Sequence, residues 1–199
     1  YRGFSYHSDA RLDMRMDTDS DFSAYELVNT YDYTNLVRVL RDYGEEKYAS
    51  SIAKNIIKAR ETKKIETTLE LVEIIKRSMP AKELRDGHPA RKTFQAIRIE
   101  VNHELDVIEP AIEQALELLN VGGRVAVITF HSLEDRLVKN IFREKCKIDE
   151  KVKGLPNIPE EYLPDFKLVV NKAIVPSEEE LEKNPRARSS KLRVIEKIK

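Results

Sequence analysis

The strongest constraint on the fold of this chain is a change of hydrophobic period around a glycine pair. Ile112, Ala115, Leu116 and Leu119 recur at helical spacing, Val121-Gly122-Gly123 breaks the pattern, and Arg124-Val125-Ala126-Val127-Ile128-Thr129-Phe130 follows as a short β-branched run. Such a run predicts a strand buried on both faces. Leu133, Leu137, Val138, Ile141 and Phe142 then return to helical spacing. Helix, glycine turn, buried strand, polar loop and helix is the grammar of a doubly wound α/β sheet, in which ligands bind beyond the carboxyl ends of the strands.

Ahead of this part the character differs. Residues 1 to 19 are rich in Ser, Asp, Arg and Gly and predict a loop. Ser23 with Glu26, and Thr67 with Glu70, have the spacing of capping boxes. Leu36, Val37, Val39 and Leu40 stop at Gly44, and Tyr48, Ala49, Ile52, Ala53, Ile56 and Ile57 form one apolar stripe. Leu71, Val72 and Ile75 run on to Pro80, which ends a helix. Four helices with short joints predict a small bundle.

After Asp86-Gly87-His88-Pro89, Pro89 suits a first helical turn, and Phe94, Ile97, Val101, Leu105 and Ile108 predict one long helix. Residues 146 to 164 read as a surface excursion. Phe166, Leu168, Val169 and Val170 around Lys167 read as an antiparallel edge and residues 191 to 197 as a final strand, together a hairpin at the sheet edge. The expected organisation is a loop over residues 1–19, an all-α domain over 20–87 and an α/β part over 88–199.

At 199 residues and 41% apolar content the chain can bury a core. Its 35 basic and 35 acidic residues cancel, so contact with a nucleic acid has to come from a local patch. The single cysteine, Cys146, has no disulfide partner and no metal-ligand spacing around it, which fits a bystander thiol in a reducing compartment. No apolar run approaches the ~20 residues of a membrane span. Tyr1-Arg2-Gly3-Phe4 has neither an initiator Met nor a signal-peptide pattern, as expected of the middle of something longer. The sequence has no Cys/His cluster, His-Glu-x-x-His, Walker loop or nucleophile elbow, so no metal is expected and triphosphate chemistry lacks support.

Four polar groupings are candidates for chemistry. His131, Ser132, Asp135 and Arg136 follow the predicted strand, with Phe130 at its end, where a ligand or base pocket is expected. The same spacing suits Ser132 as a helix cap with Asp135 completing a box. Gln95, Arg98 and Asn102, at i, i+3 and i+7, form a polar stripe for a base edge, a phosphate or a neighbouring loop, with a domain-packing face as the alternative. Arg11-Leu12-Asp13-Met14-Arg15-Met16-Asp17 alternates charge with apolar side chains, as in a segment packed across a domain boundary. Arg186, Arg188 and Lys191, with Ser189 and Ser190, make either a phosphate-contacting patch or a plain solvated loop.

Taken together these stretches resemble one family. Arg2-Gly3-Phe4-Ser5, Leu12-Asp13-Met14-Arg15-Met16-Asp17, Tyr43-Gly44-Glu45-Glu46, His88-Pro89-Ala90, Thr93-Phe94-Gln95-Ala96-Ile97-Arg98-Ile99, Val101-Asn102, Gly122-Gly123-Arg124, Phe130-His131-Ser132-Leu133-Glu134-Asp135-Arg136 and Asn184-Pro185-Arg186-Ala187-Arg188-Ser189 carry the likeness. In this order, and through almost the whole chain, they closely resemble the RsmH/MraW family of ribosomal RNA cytosine-N4 methyltransferases. The resemblance implies the C-terminal part of a Rossmann-like class I methyltransferase sheet with an inserted all-α substrate-recognition domain. It implies methyl transfer from S-adenosylmethionine to the exocyclic amine of a cytidine in the decoding region of 16S rRNA. The partner implied is 16S rRNA or the small ribosomal subunit, in the cytoplasm and with no membrane; a homodimer is allowed.

The family's glycine-rich donor loop, its acidic ribose residue and its Asp-Leu-Gly-Val-Ser-Ser segment normally precede the Arg-Gly-Phe motif and have no counterpart here. Cofactor-binding residues are therefore expected upstream of Tyr1, and residues 1 to 199 alone are expected neither to bind the donor tightly nor to methylate.

An exocyclic cytosine amine has its lone pair delocalised into the ring, so it must be oriented for in-line attack and relieved of a proton afterwards. His131, Ser132 and Asp135 are the expected catalytic residues at the rim of the cytidine pocket, and Phe130 is expected to pack beneath it. Gln95, Arg98, Asn102, Arg136, Arg186 and Arg188 are the expected further substrate contacts. Two readings compete: an RNA-binding module without catalysis, and an amino-methyltransferase acting on another nucleic acid such as DNA. This site requires the run after Gly122-Gly123 to be an interior strand whose downstream loop shares a crevice with the Gln95 helix.

Overall fold

The computed structural model describes residues 2–85, 87–152, 154 and 156–199; Tyr1, Asp86, Lys153 and Leu155 lie outside the described residues, so the turn expected at 86–89 is described from Gly87 onward. The chain is a mixed α/β structure of two compact units, Tyr1–Glu104 and Leu105–Lys199.

In the first unit α1 (Ala24–Thr30), α2 (Tyr33–Asp42), α3 (Ala49–Thr62), α4 (Thr68–Arg77) and α5 (Arg91–Asn102) share one core. Both capping boxes form where the spacing predicts them, at Ser23/Glu26 and Thr67/Glu70. Ile52 and Ile56 of α3, Leu71 and Ile75 of α4, and Phe94 and Ile97 of α5 are buried together with Leu27, Leu36 and Leu40. Each such side chain contributes roughly 2 kcal/mol on burial, which is what sustains helices this short.

The opening loop belongs to the same core. Leu12 and Met14 are fully buried, the Leu12 N–H donates to the Glu66 carbonyl at 2.9 Å, and Arg11 forms a β-bridge with Thr67. Leu12 and Met14 of the alternating Arg11–Asp17 segment thus belong to the core of this unit, while Arg11, Met16 and Asp17 stay exposed.

The helix from Phe94 is shorter than its periodicity implies. It stops at Asn102, because His103 takes the left-handed conformation (φ 50°) and the Glu104 N–H closes onto the Ile99 carbonyl at 3.2 Å. No glycine announces this turn, so the apolar spacing runs on through it to Ile108, where another helix begins. Pro89 lies in the turn before α5, whose N-cap is Ala90.

The second unit contains α6 (Ile108–Glu117), β1 (Arg124–Thr129), α7 (Ser132–Lys145), β2 (Phe166–Leu168), α8 (Glu178–Lys183) and β3 (Lys191–Lys197). The strands form an antiparallel sheet of order β1-β3-β2, with Arg124 opposite Glu196 and Thr129 opposite Lys191. Gly122, at φ 85°, turns the chain into β1 and donates its N–H to the Lys197 carbonyl at 2.7 Å. Ile112 and Leu116 of α6 pack with Val138, Ile141 and Phe142 of α7 and with Ile195 of β3.

One strand expectation is corrected. Among the described strands β1 lies at the sheet edge and is buried on one face only: Arg124, Ala126 and Ile128 are exposed, Ile128 at 58%. A β-branched run reports that a strand is apolar, whereas the number of faces covered depends on the layers packed against it, and here the Val125, Val127 and Thr129 face is the covered one, with both valines packed on the α6/α7 core. The two late strands pair antiparallel as expected, with β2 at one edge and β3 between β2 and β1, although the connection between them is long and contains α8. At the β2 edge Lys167 is well tolerated, its ammonium 2.9 Å from the Glu196 carboxylate.

Candidate functional site

At the carboxyl end of β1 the side chains separate sharply by environment. Thr129 is buried, while Phe130 leaves the sheet and is 56% exposed. His131 is the N-cap of α7: its Nδ1 accepts from the Glu134 N–H at 3.4 Å, and the Glu134 carboxylate accepts from the N–H groups of Phe130 and His131 at 2.8 and 3.3 Å. The cap therefore falls one residue before the Ser132/Asp135 box that spacing allowed. An imidazole nitrogen can do the work of a capping oxygen, and Ser132 becomes the first residue of the helix, exposed to solvent.

Accepting at Nδ1 places the proton of a neutral His131 on Nε2. That nitrogen is buried and lies 3.3 Å from a Glu134 oxygen without hydrogen-bonding alignment, so it has no hydrogen-bond partner among the described residues. A buried polar atom left in this state costs about 1–3 kcal/mol. Burial alone would raise the Glu134 carboxyl, but the His131 imidazole beside it and the backbone N–H groups of Phe130 and His131 outweigh that and hold the group below the ordinary range.

Asp135 faces the sheet. Only 7% exposed, it receives the Arg193 guanidinium at 2.8 and 3.1 Å and lies 3.4 Å from the Lys191 ammonium. The Arg193 hydrogen bonds overcome the cost of burial and hold its pKa below the usual carboxylate value. Arg136, one residue on, is exposed and lines a hollow of about 490 Å³ with Asp106, Glu109 and Asn140.

A larger cavity, about 580 Å³, brings Phe130 together with Arg186. Its floor is Ile128, Ile174, Val175 and Leu192, and its rim carries Asn184, Ser190 and Glu180. Paired backbone hydrogen bonds of 2.9 and 2.8 Å between Ile174 and Leu192 lay the Ile174 segment along β3. The short 3-10 turn Pro185–Ser189 buries Ala187 and leaves Arg186 and Arg188 exposed. An exposed aromatic face over an apolar floor, with a guanidinium at the edge, has the chemistry to accept a planar base attached to a phosphate. Sequence reasoning missed Ile174 and Val175; the apolar Ile174-Val175-Pro176 run in a polar surrounding was the available signal.

In the first unit the Gln95, Arg98 and Asn102 stripe binds its own chain. Gln95 Nε2 donates to the Tyr43 carbonyl at 3.2 Å, and Arg98 forms a two-pronged ion pair with Glu104 at 2.7 and 2.9 Å. Asn102 donates to the Met14 and Arg98 carbonyls at 2.7 and 2.8 Å and accepts the Met16 N–H at 2.6 Å. Of the options the spacing left open, these contacts are those of a neighbouring loop. The Asn102 hydrogen bonds fix a segment in which Met14 adopts φ 60°.

Comparison with known proteins adds an independent line. Residues 1–198 match the profile of a family described as the MraW methylase family. A ribosomal RNA small subunit methyltransferase H from Exiguobacterium sibiricum is 57% identical over 199 residues, covering 100% of this chain and 64% of that protein. A protein of the same name from Limosilactobacillus fermentum is 55% identical over 199 residues, again 100% of this chain and 63% of its own length. The chain thus spans a little under two-thirds of the length of these curated relatives.

Proposed function

Because this chain belongs to the MraW methylase family, we propose that the protein is an S-adenosylmethionine-dependent methyltransferase acting on the N4 amine of a cytidine in the decoding region of 16S rRNA. The names of the relatives, which match across all 199 residues, support ribosomal RNA as the substrate. The observation that carries the site is the cavity joining Phe130 to Arg186 at the carboxyl end of β1. The second unit is read as the C-terminal part of a Rossmann-like sheet, with the outer edge of β1 as the place where further strands would pair. Residues 20–87 are read as the inserted substrate-recognition domain.

In this reading the cytidine is flipped from its strand and its ring stacks on Phe130, with Arg186 and Arg188 on the flanking phosphates. His131, whose mostly buried imidazole caps α7, sets the path of the loop after β1 as a positioning group. Its Nε2–H would meet the base only if the bound RNA uncovers it, and the exposed Ser132 hydroxyl receives a hydrogen bond from the amine. Asp135 acts through Arg193, holding α7 on β3 so that both groups are correctly placed. Arg136 reaches the RNA from the outer side of α7. Asn102 holds the loop that carries Met14 and Met16, while Gln95 and Arg98, bound to the Tyr43 carbonyl and the Glu104 carboxylate, steady the ends of α2 and α5.

The donor is a separate matter. Its usual cradle needs a glycine-rich turn after a strand, where the backbone can approach closely, and a carboxylate for the ribose. After β1 stands Phe130-His131-Ser132, and the nearby Glu134 carboxylate is occupied by backbone N–H groups. These residues do not fit the donor, whose binding we assign to the part of the longer relatives that this chain does not span. No helix among the described residues is long and apolar enough to cross a membrane, and we place the protein with its substrate in the cytoplasm.

The deciding experiment supplies labelled S-adenosylmethionine and full-length protein with small ribosomal subunits, free 16S rRNA or duplex DNA. Label mapped to N4 of a single cytidine supports the proposal. Transfer to DNA, or RNA binding without transfer, would replace it with one of the two competing readings.

A further inference from the structure

The helical unit carries a second, differently built recess. Asn55, Lys58, Ala59 and Thr62, at i, i+3, i+4 and i+7 on α3, face Ile74 and Arg77 of α4 across a cavity of about 310 Å³. Two cations, an amide and a hydroxyl line it, with no carboxylate and no aromatic ring. The chain as a whole is neutral, yet between Lys54 and Arg77 seven cations stand against four carboxylates.

The adjoining groove continues past Lys63 and Lys64 and is also lined by Asp9, Glu70 and Glu73. The two glutamates are engaged in ion pairs, and Asp9, which does not line the Lys58 recess, accepts the Leu69 N–H at 3.4 Å. Glu70 holds Lys63 at 2.7 Å and accepts from the Thr67 N–H at 3.1 Å, and Glu73 holds Lys76 at 2.8 Å. Lys58, Lys64 and Arg77 have no ion-pair partner among the described residues. Arg77 uses one N–H on the Glu73 carbonyl at 3.2 Å, which steadies the guanidinium without neutralising it.

We infer that this α3/α4 groove binds the sugar–phosphate backbone of the RNA substrate, with Lys58 and Arg77 on phosphate oxygens and Thr62 and Asn55 as neutral hydrogen-bonding groups beside them. Without a ring to stack a base, the groove positions RNA and reads no sequence, in contrast to the cavity beside Phe130. The inference rests on the rRNA methyltransferase reading and adds to it a contact point on the helical unit.

The test uses full-length protein carrying Lys58→Ala and Arg77→Ala together, both exposed positions that leave the core intact. Binding of a 16S rRNA decoding-region fragment, measured across a range of salt concentrations, should weaken about tenfold at low salt, with the slope of log affinity against log salt shallower by about 1–2. Turnover at saturating RNA should stay at the unmodified level while KM rises. A charge-matched control, Lys147→Ala with Lys172→Ala, should bind as the unmodified protein does. Unchanged affinity and slope in the groove variant, or equal weakening in the control, overturns the inference. Methyl transfer by the unmodified protein reports separately: if it is absent while the groove variant still binds more weakly, the enzymatic reading fails and the groove stands.

Discussion

The Asp135 carboxylate and the Arg193 guanidinium meet through two hydrogen bonds, 2.8 and 3.1 Å long, that tie helix α7 to the central strand β3. Both side chains are mostly shielded from water. Removing one partner would leave the other charge stranded, so Asp135→Asn should lower stability by about 3 kcal/mol in urea unfolding. The folded-state pKa of Asp135 lies below its ordinary value. The native state therefore binds this proton less readily than the unfolded chain. The ion pair's contribution is complete above the ordinary carboxylate range and is lost as pH falls through the depressed value. Asp135→Asn should accordingly flatten the acid limb of the stability profile; an unaltered limb would show that other carboxylates control it.

His131 separates a structural role from a chemical one. His131→Ala removes the α7 cap and should cost about 1 kcal/mol, whereas His131→Asn keeps a capping acceptor and should fold almost as well as the parent. If the imidazole Nε2 contacts the base, the Asn variant of full-length protein will still methylate poorly. Parental turnover would confine His131 to capping.

Phe130 is exposed, so Phe130→Ala should leave the melting temperature almost unchanged. Losing a stacking platform worth about 1–3 kcal/mol should reduce kcat/KM for rRNA by about tenfold or more. Phe130→Tyr should restore most of the activity, since the ring face is preserved. Equal activity in the Ala variant would remove the base from this cavity.

Asn102 holds Met14 and Met16 from the end of α5. Asn102→Ala should destabilise the first unit by about 2 kcal/mol, because the Met14 carbonyl and Met16 N–H lose their partner. Hydrogen exchange at the Met16 amide should accelerate while that of the α3 amides changes little. Slow exchange at Met16 in the variant would mean that the loop is held by Leu12 and Met14 packing alone.

Much of this was legible in the sequence wherever the cause lies within a few residues. Ser23 with Glu26, and Thr67 with Glu70, start helices through contacts inside a single turn. The stripes of α3, α4 and α7 follow from 3.6-residue spacing, and the Gly122-Gly123 turn into β1 follows from φ values glycine adopts freely. The family likeness was legible for the same reason, since its motifs are short local strings.

Other features needed the folded chain. The end of α5 at His103 depends on a left-handed residue that no glycine announces, and capping by His131 in place of Ser132 depends on where the backbone leaves β1. Asp135 and Arg193 are 58 residues apart in sequence, and the cavity beside Phe130 is assembled from three separate segments. Local pattern determines which residues prefer water and which bond to near neighbours. Which distant group meets a buried charge, and which face of a strand is covered, are decided by packing, because burial and electrostatic pairing depend on distance through space and not along the chain.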